Sequence, residues 1–445
     1  MKFYSIIKHL SVCVFLVLAF NTVAQINSYS PYSRYGLGDL NKNYFANNKA
    51  LGGLSYGMTS PLNININNPA TYSYYWLTNF EAGLTGTATW MNTSDGQTQV
   101  NALNQFNYLA FGMPLKANRW GLTFGAVPMS SIGYNFTSTD SLDVIGRIEN
   151  SFDGSGGLNR FFLGSGFNFV IDTTNTLAFG FNFNYIFGDL FNRQRLVYKD
   201  VSNAYNTLQT ERINVNDIGF DFGFQYKKDF RACSKKDSLK NCIERSDYSF
   251  AIGAYYGSQS NLNAKLSQLT RTYTGNTNFE AFKDTVHFVS EQKDTVKLPQ
   301  TIGVGFTLQK KNHWLIGVDM QIQQWAATVF NQSILFQNSS RLAAGFEIIP
   351  VPKPDAGTSY LGLITYRIGA KYETGFLNIN NTSITDFGIN FGFGLPFRKT
   401  LSKLNLAFEL GQRGTLENNL IQEKYIKGTL GLTINDKWFN KRKYD

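Results

Sequence analysis

Between Leu177 and Phe187 every second residue is large and apolar. Leu177, Phe179, Phe181, Phe183, Tyr185 and Phe187 share one face, and Ala178, Gly180, Asn182, Asn184 and Ile186 share the other. A helix face returns every three to four residues, so this pattern specifies a strand with one greasy side. The signature recurs: Ile218, Phe220, Phe222, Phe224 and Tyr226 alternate with Asp217, Gly219, Asp221, Gly223 and Gln225. It appears again at Trp314 to Gln323, Asp386 to Leu395 and Leu404 to Gly411.

In a soluble sandwich such a face would pack into a core, so alternation alone leaves two architectures open. Three features favour a membrane barrel. The second face carries Gly, Ala and Asn more than Lys and Glu, as a crowded lumen requires. The segments run about 10 to 14 residues, long for globular strands and suited to a tilted bilayer crossing. Their connections alternate between short and long. Aromatic residues make up 15% of the chain against 16% charged, the balance that outward rings and small lumen residues produce.

Candidate strands lie at 78–92, 105–116, 119–130, 158–171, 175–188, 212–228, 246–260, 299–311, 313–325, 339–348, 360–373, 384–397, 402–413 and 424–436. The expected fold is therefore all-β, a 14-stranded antiparallel transmembrane β-barrel, an even count as single-chain bacterial barrels have. Tight turns such as Lys310 to His313 oppose long connections at Ser131 to Gly157, Leu190 to Glu211 and Asn261 to Leu298. That asymmetry puts the long loops outside and both termini in the periplasm.

Residues 1–24 read as a secretory leader, with Lys2 and Lys8 before the apolar run Leu10 to Phe20 and a small-residue site at Thr22-Val23-Ala24. Residues 78–445 form the barrel, and the Gly- and Asn-rich stretch 25–77 between fits no strand pattern. Its natural place is inside the barrel, as a plug. Beyond the leader only Cys233 and Cys242 remain; in an oxidising compartment they either close a short disulfide loop or stay free, and two ligands are too few for a structural zinc site.

The stretch ALGGLSYGMTSPLNININNPATYS, the hairpin LPQTIGVGFTLQKKNHWLIGVDMQIQQW and the runs SSRLAAGFE, YRIGAKYE and ITDFGINFGFGLPF resemble the FadL/TodX family of outer-membrane transport proteins. The resemblance implies a lumen closed by an N-terminal hatch and passage of small hydrophobic molecules, of long-chain fatty acid or aromatic hydrocarbon type. The C-terminus, KWFNKRKYD, departs from the terminal Phe of that pattern. The PorV subunit of the type IX secretion machinery is also similar to this family, which implies a second function: a barrel that docks a secretion-machinery or surface protein and transports nothing.

On this resemblance Asn68, Pro69 and Ala70, with Gly52 and Gly53, are the hatch residues. Pro128 lacks an N–H inside an otherwise alternating strand and marks a bulge, an edge or a strand end. The family's kink in the third strand implies a lateral opening there, between Val127 and Ser131. Lumen-side charges Asp217, Asp221, Asp319, Arg341, Glu347, Arg367, Lys371, Glu373, Asp386 and Glu409 are expected to pair with one another and with Arg34, Asp39 and Lys49, because a narrow lumen leaves them little water. Beyond the leader His287 and His313 are the chain's histidines, in a long loop and a tight turn, which argues against a Ser-His hydrolase. No cofactor, metal site or nucleic-acid partner is expected; the expected partners are outer-membrane lipids, a small hydrophobic ligand and, on the second reading, a protein.

Overall fold

The computed structural model describes residues 30–438, apart from 144–145, 202–203, 237–241, 277–278, 328–334, 353–354 and 356. The expected leader lies outside the described residues. So do the side chains of Cys233 and Cys242, whose backbones pair with Arg245 and Lys236.

Antiparallel strands close into a 14-stranded barrel. In chain order they are β1 (Thr78–Asn92), β2 (Thr98–Lys116), β3 (Trp120–Pro128) with its continuation β4 (Ser130–Leu142), β5 (Gly146–Val170), β6 (Asn175–Tyr198), β7 (Asn206–Lys236) and β8 (Cys242–Gly257). A hairpin follows, β9 (Ser260–Asn276) and β10 (Phe279–Leu298). The wall resumes with β11 (Thr301–Lys310), β12 (Trp314–Gln323), β13 (Ser339–Ile348), β14 (Thr365–Glu373), β15 (Asp386–Pro396), β16 (Lys403–Arg413) and β17 (Gln422–Asp436). The last strand pairs with the first, from Thr78 opposite Asp436 to Asn92 opposite Gln422. Closure gives the first and last strands a partner, since an unpaired polar group in hydrocarbon costs several kcal/mol.

Outward faces carry the greasy alternation. Phe179, Phe181, Phe183, Ile316, Val318, Met320 and Ile389 are all exposed, while their neighbours Ala178, Asn182, Leu315 and Asp319 are buried toward the lumen. Cross-strand aromatic pairs such as Phe179 with Phe224 (5.1 Å) and Phe183 with Phe220 (5.7 Å) tie adjacent strands together.

The long connections differ from expectation. The stretches read as loops at 131–157, 190–211 and 261–298 are mostly strand. With about 9 to 11 residues needed to cross, the 24 residues of β6 and 31 of β7 run far past a bilayer. Above the barrel β4, β5, β6, β7, β9 and β10 continue as an open antiparallel sheet. Beyond the bilayer no face must be greasy, so polar runs such as SNLNAKLSQLTRTYTGN hold a ladder without a strong period of two. Residues 360–364, expected as strand, begin instead with a helical turn, Tyr360–Leu363.

Candidate functional site

Residues 30–75 pack against the inner wall, and most of 44–58 and 64–75 is buried. The segment holds one short helix, α1 (Ala46–Lys49), and two 3₁₀ turns, Pro31–Arg34 and Pro69–Tyr74. So irregular a backbone needs outside partners for its polar groups, and lumen-facing side chains supply them. Asp319 Oδ2 accepts from the amides of Ser55 (2.6 Å) and Tyr56 (2.9 Å). Glu81 Oε1 accepts from Ile64 N at 2.6 Å. Gln225 Nε2 donates to the carbonyls of Gly57 and Met58, both at 3.1 Å, and Thr307 Oγ1 donates to Gly57 O at 2.7 Å. Asn182 donates to Ile66 O and accepts from the Tyr72 hydroxyl, each at 3.1 Å.

Asn68 sits at the centre of this arrangement with no exposed surface. Its Nδ2 donates to Tyr56 O (2.6 Å) and Phe224 O (3.3 Å), and its Oδ1 accepts from Ala70 N (3.2 Å), capping the turn that Pro69 opens. The wall makes room: a Cβ on Gly180 would overlap Pro69, and one on Gly253 would overlap the Tyr56 carbonyl. Gly52 and Gly53 take φ of 72° and 84°, reversing the chain after α1, where Gly53 N donates to Asn48 O at 2.8 Å. The five residues thus lie on one buried path along the inner wall.

Most lumen charges are paired, largely as their positions imply. Lys371 meets Asp386 (3.0 Å) and Glu409 (2.8 Å), Arg367 meets Glu347 (2.6 Å), and Arg160 meets Asp221 (3.3 Å). Residues 30–75 join through Asp39 with Arg413 (2.6 Å) and Lys42 with Glu373 (2.5 Å). Five of the expected pairings differ among the described residues: Asp319 binds backbone amides, Arg341 the Gly52 carbonyl, and Arg34, Lys49 and Asp217 find other partners. Arg34 lies over the Phe152 ring at 4.0 Å, and Lys49 Nζ faces the hydroxyls of Thr85 (3.2 Å) and Thr429 (3.5 Å). Asp217 Oδ2 accepts from the amide of Asn263 at 2.7 Å, beyond the lumen pairs. Glu81, Arg413 and Glu423 were not singled out from sequence, although their places on lumen faces follow from the alternation.

Cavities among the described residues include one of about 240 Å³ around Asp39, Lys49, Arg341 and Lys371 and one of about 140 Å³ around Arg160, Asp221 and Tyr255. At the long-strand end Tyr32, Leu37, Ile132, Leu158, Leu190, Leu262, Trp325 and Phe376 are drawn into one buried apolar cluster.

Pro128 marks a break in the wall. Pairing of β2 with β3 stops at Leu109 opposite Ala126, whereas pairing with β5 runs through Pro128 opposite Asn159 and resumes from Ile132 opposite Gly156. Past Ala126 the side vacated by β2 is occupied by Asp39 and Leu40, opposite Ser131 and Ser130, and Asn41 N donates to Met129 O at 2.9 Å. The larger cavity reaches this break, since Asn101, Leu103 and Gln105 of β2 and Ser131 of β4 line it.

Solved structures share this fold. The P. putida toluene transporter TodX aligns over 91% of this chain and 99% of its own at a TM-score of 0.55 and 15% identity. A Pseudomonas aeruginosa FadL homologue aligns over 89% and 99% at 0.53 and 10%, and the CymD monoaromatic hydrocarbon channel over 91% and 100% at 0.50 and 10%. At such identities the likeness concerns architecture alone: a β-barrel of the FadL/TodX type. No curated protein matches the sequence. The BamG family matches it over residues 6–445, essentially the whole chain, and the chain belongs to that family.

Proposed function

We propose that this chain is a docking barrel: it fixes a partner protein at the outer membrane, with residues 25–77 serving as a hatch that stays in place. The observation that carries the reading is the filled lumen. Passage of a hydrophobic molecule requires a continuous apolar cavity; the 240 Å³ and 140 Å³ cavities mix ion pairs and amides with apolar groups such as Leu40, Leu103 and Ile186, and the apolar residues at the long-strand end are consumed in their own packing. Apolar side chains are exposed elsewhere: Phe282, Val286 and Phe288 on β10 are 47%, 64% and 67% exposed, in the sheet above the barrel. Exposed apolar groups of this kind suit a protein interface. Three register shifts in β10 blunt its free edge against strand addition, so its side chains are the docking surface. The long-strand end then faces outside and the termini face the periplasm.

A second reading, uptake of small hydrophobic molecules, draws on the broken β2–β3 pairing at Pro128 and on the fold shared with TodX and CymD. It requires Asp39 and Leu40 to leave the wall break, and Asn68, Pro69, Ala70, Gly52 and Gly53 to act as the gate. Extraction in mild detergent, followed by mass spectrometry of proteins and lipids, separates the two. A stoichiometric protein that is lost from a Val286→Lys, Phe288→Lys variant supports docking. A stoichiometric hydrophobic small molecule with no protein partner supports uptake.

A further inference from the structure

Six cationic and five acidic side chains line the 240 Å³ cavity, and their pairing is uneven. Asp39, Glu373, Asp386, Glu409 and Glu423 are all taken by Lys42, Lys371, Arg413 and Lys427. Among the described residues Lys49 and Arg341 have no carboxylate within 4.0 Å. Arg341 is 3% exposed; its Nη2 donates to Gly52 O and its guanidinium lies 4.6 Å from the Tyr44 ring centre, but Nε and Nη1 have no partner. Of the acids whose charge reaches Arg341, Glu373 is taken by Lys42, and Asp319, which holds the amides of Ser55 and Tyr56 through Oδ2 and leaves Oδ1 unpartnered, lies outside the cavity lining. An arginine cannot shed its proton, and a buried charge without a counter-charge costs several kcal/mol.

Unpaired amides lie around the same cavity. Asn107, 3% exposed on β2, and Asn41 each leave Nδ2 buried without a partner, and the Thr85, Thr87 and Thr89 hydroxyls line the wall nearby. The unpartnered atoms here are therefore four donors, Arg341 Nε and Nη1, Asn41 Nδ2 and Asn107 Nδ2, against one acceptor, Asn390 Oδ1. A water would both donate and accept; a surplus of donors beside two unpaired cations calls for a group that only accepts and carries negative charge.

We infer that this cavity is a binding site for a phosphate group, held by Arg341, Lys49 and Asn107. The cavity reaches the wall break, between Gln105 on one side and Ser131 on the other, where Asp39 and Leu40 would have to give way for the rest of a larger ligand to pass sideways. Phosphate chemistry is shared by free inorganic phosphate and by a phospholipid headgroup whose chains lie in the bilayer. The site does not depend on whether the barrel docks or conducts.

The test uses the full-length protein, purified in an uncharged detergent without phosphate and titrated calorimetrically with inorganic phosphate and with short-chain phosphatidylglycerol. Saturable binding of either supports the site. Tighter binding of the phosphatidylglycerol identifies a lipid headgroup, and equal binding identifies free phosphate. Lys49→Gln should weaken binding about tenfold, the worth of one charge-assisted hydrogen bond, and Asn107→Asp, which sets a carboxylate against the ligand, should abolish it. Arg147→Gln, at the start of β5 and outside the cavity lining, should leave it unchanged. Folding of each variant is checked by its heat-modifiable gel shift. No binding of either probe to the wild type overturns the proposal, as do folded Lys49→Gln and Asn107→Asp proteins with wild-type affinity.

Discussion

Replacing Asp319 by Ala should release the middle of the N-terminal segment from the wall. The carboxylate has no exposed surface and holds two successive amides, Ser55 N at 2.6 Å and Tyr56 N at 2.9 Å. Hydrogen bonds to a charged group contribute about 1.5–3 kcal/mol each, so the pair is worth about 3–6 kcal/mol. Relief of the buried charge offsets part of this, which places the net effect near the lower end, about 3 kcal/mol. If these amides exchange through local opening, a loss of that size speeds their hydrogen exchange about a hundredfold. Hydrogen-exchange mass spectrometry of the folded protein in detergent, read on peptides spanning Ser55 and Tyr56, measures it. β12 peptides around Val318 should stay protected, because the ladder of Asp319 with Gly305 and Ala343 is a backbone matter. Exchange at Ser55 and Tyr56 within about threefold of the wild type would refute the claim that Asp319 anchors the segment.

Three other outcomes follow from the same geometry. Gly253→Val places carbon where the Tyr56 carbonyl lies, and overpacking of this kind costs about 1–3 kcal/mol; the heat-modifiable band should convert to its unfolded form at lower temperature. Deleting Asn41 to Ala70 removes the contacts of Asn68 and most of the lumen filling, so it should admit polar dyes to proteoliposomes that the intact protein excludes. Asp200 accepts from the side chain and backbone amide of Arg147, which hold its carboxyl down at about 2. Its folded value is depressed, so the stabilisation is present above the ordinary carboxylate range and is lost as pH falls through about 2; in Arg147→Gln, an NMR titration of Asp200 should move up toward that ordinary range.

The wall was legible in the sequence because lipid and lumen impose opposite demands on successive residues. Phe179 beside Gly180 and Val318 beside Asp319 announce both the strand and its orientation. Where the bilayer ends that constraint ends, and β9 and β10, rich in Thr, Asn, Gln and charge, read as loop although a ladder holds them. Pro128 announced an interrupted ladder, but a missing N–H does not say which neighbour is lost; that β5 is retained while β2 gives way to Asp39 and Leu40 depends on contacts far apart in the chain. The lumen charges were visible as charges, and their partners were not. Asp319 and Glu81 bind backbone amides, which carry no sequence signal, and Lys49 faces two threonines where a carboxylate was expected.

The central claim is that the barrel holds a protein and keeps its lumen closed. Native mass spectrometry of the complex extracted from its own membrane tests this most directly. The account predicts one stoichiometric protein partner on the intact chain, and its loss when Val286 and Phe288 are both replaced by Lys. A lone barrel carrying a stoichiometric hydrophobic small molecule, unchanged by those substitutions, would contradict it.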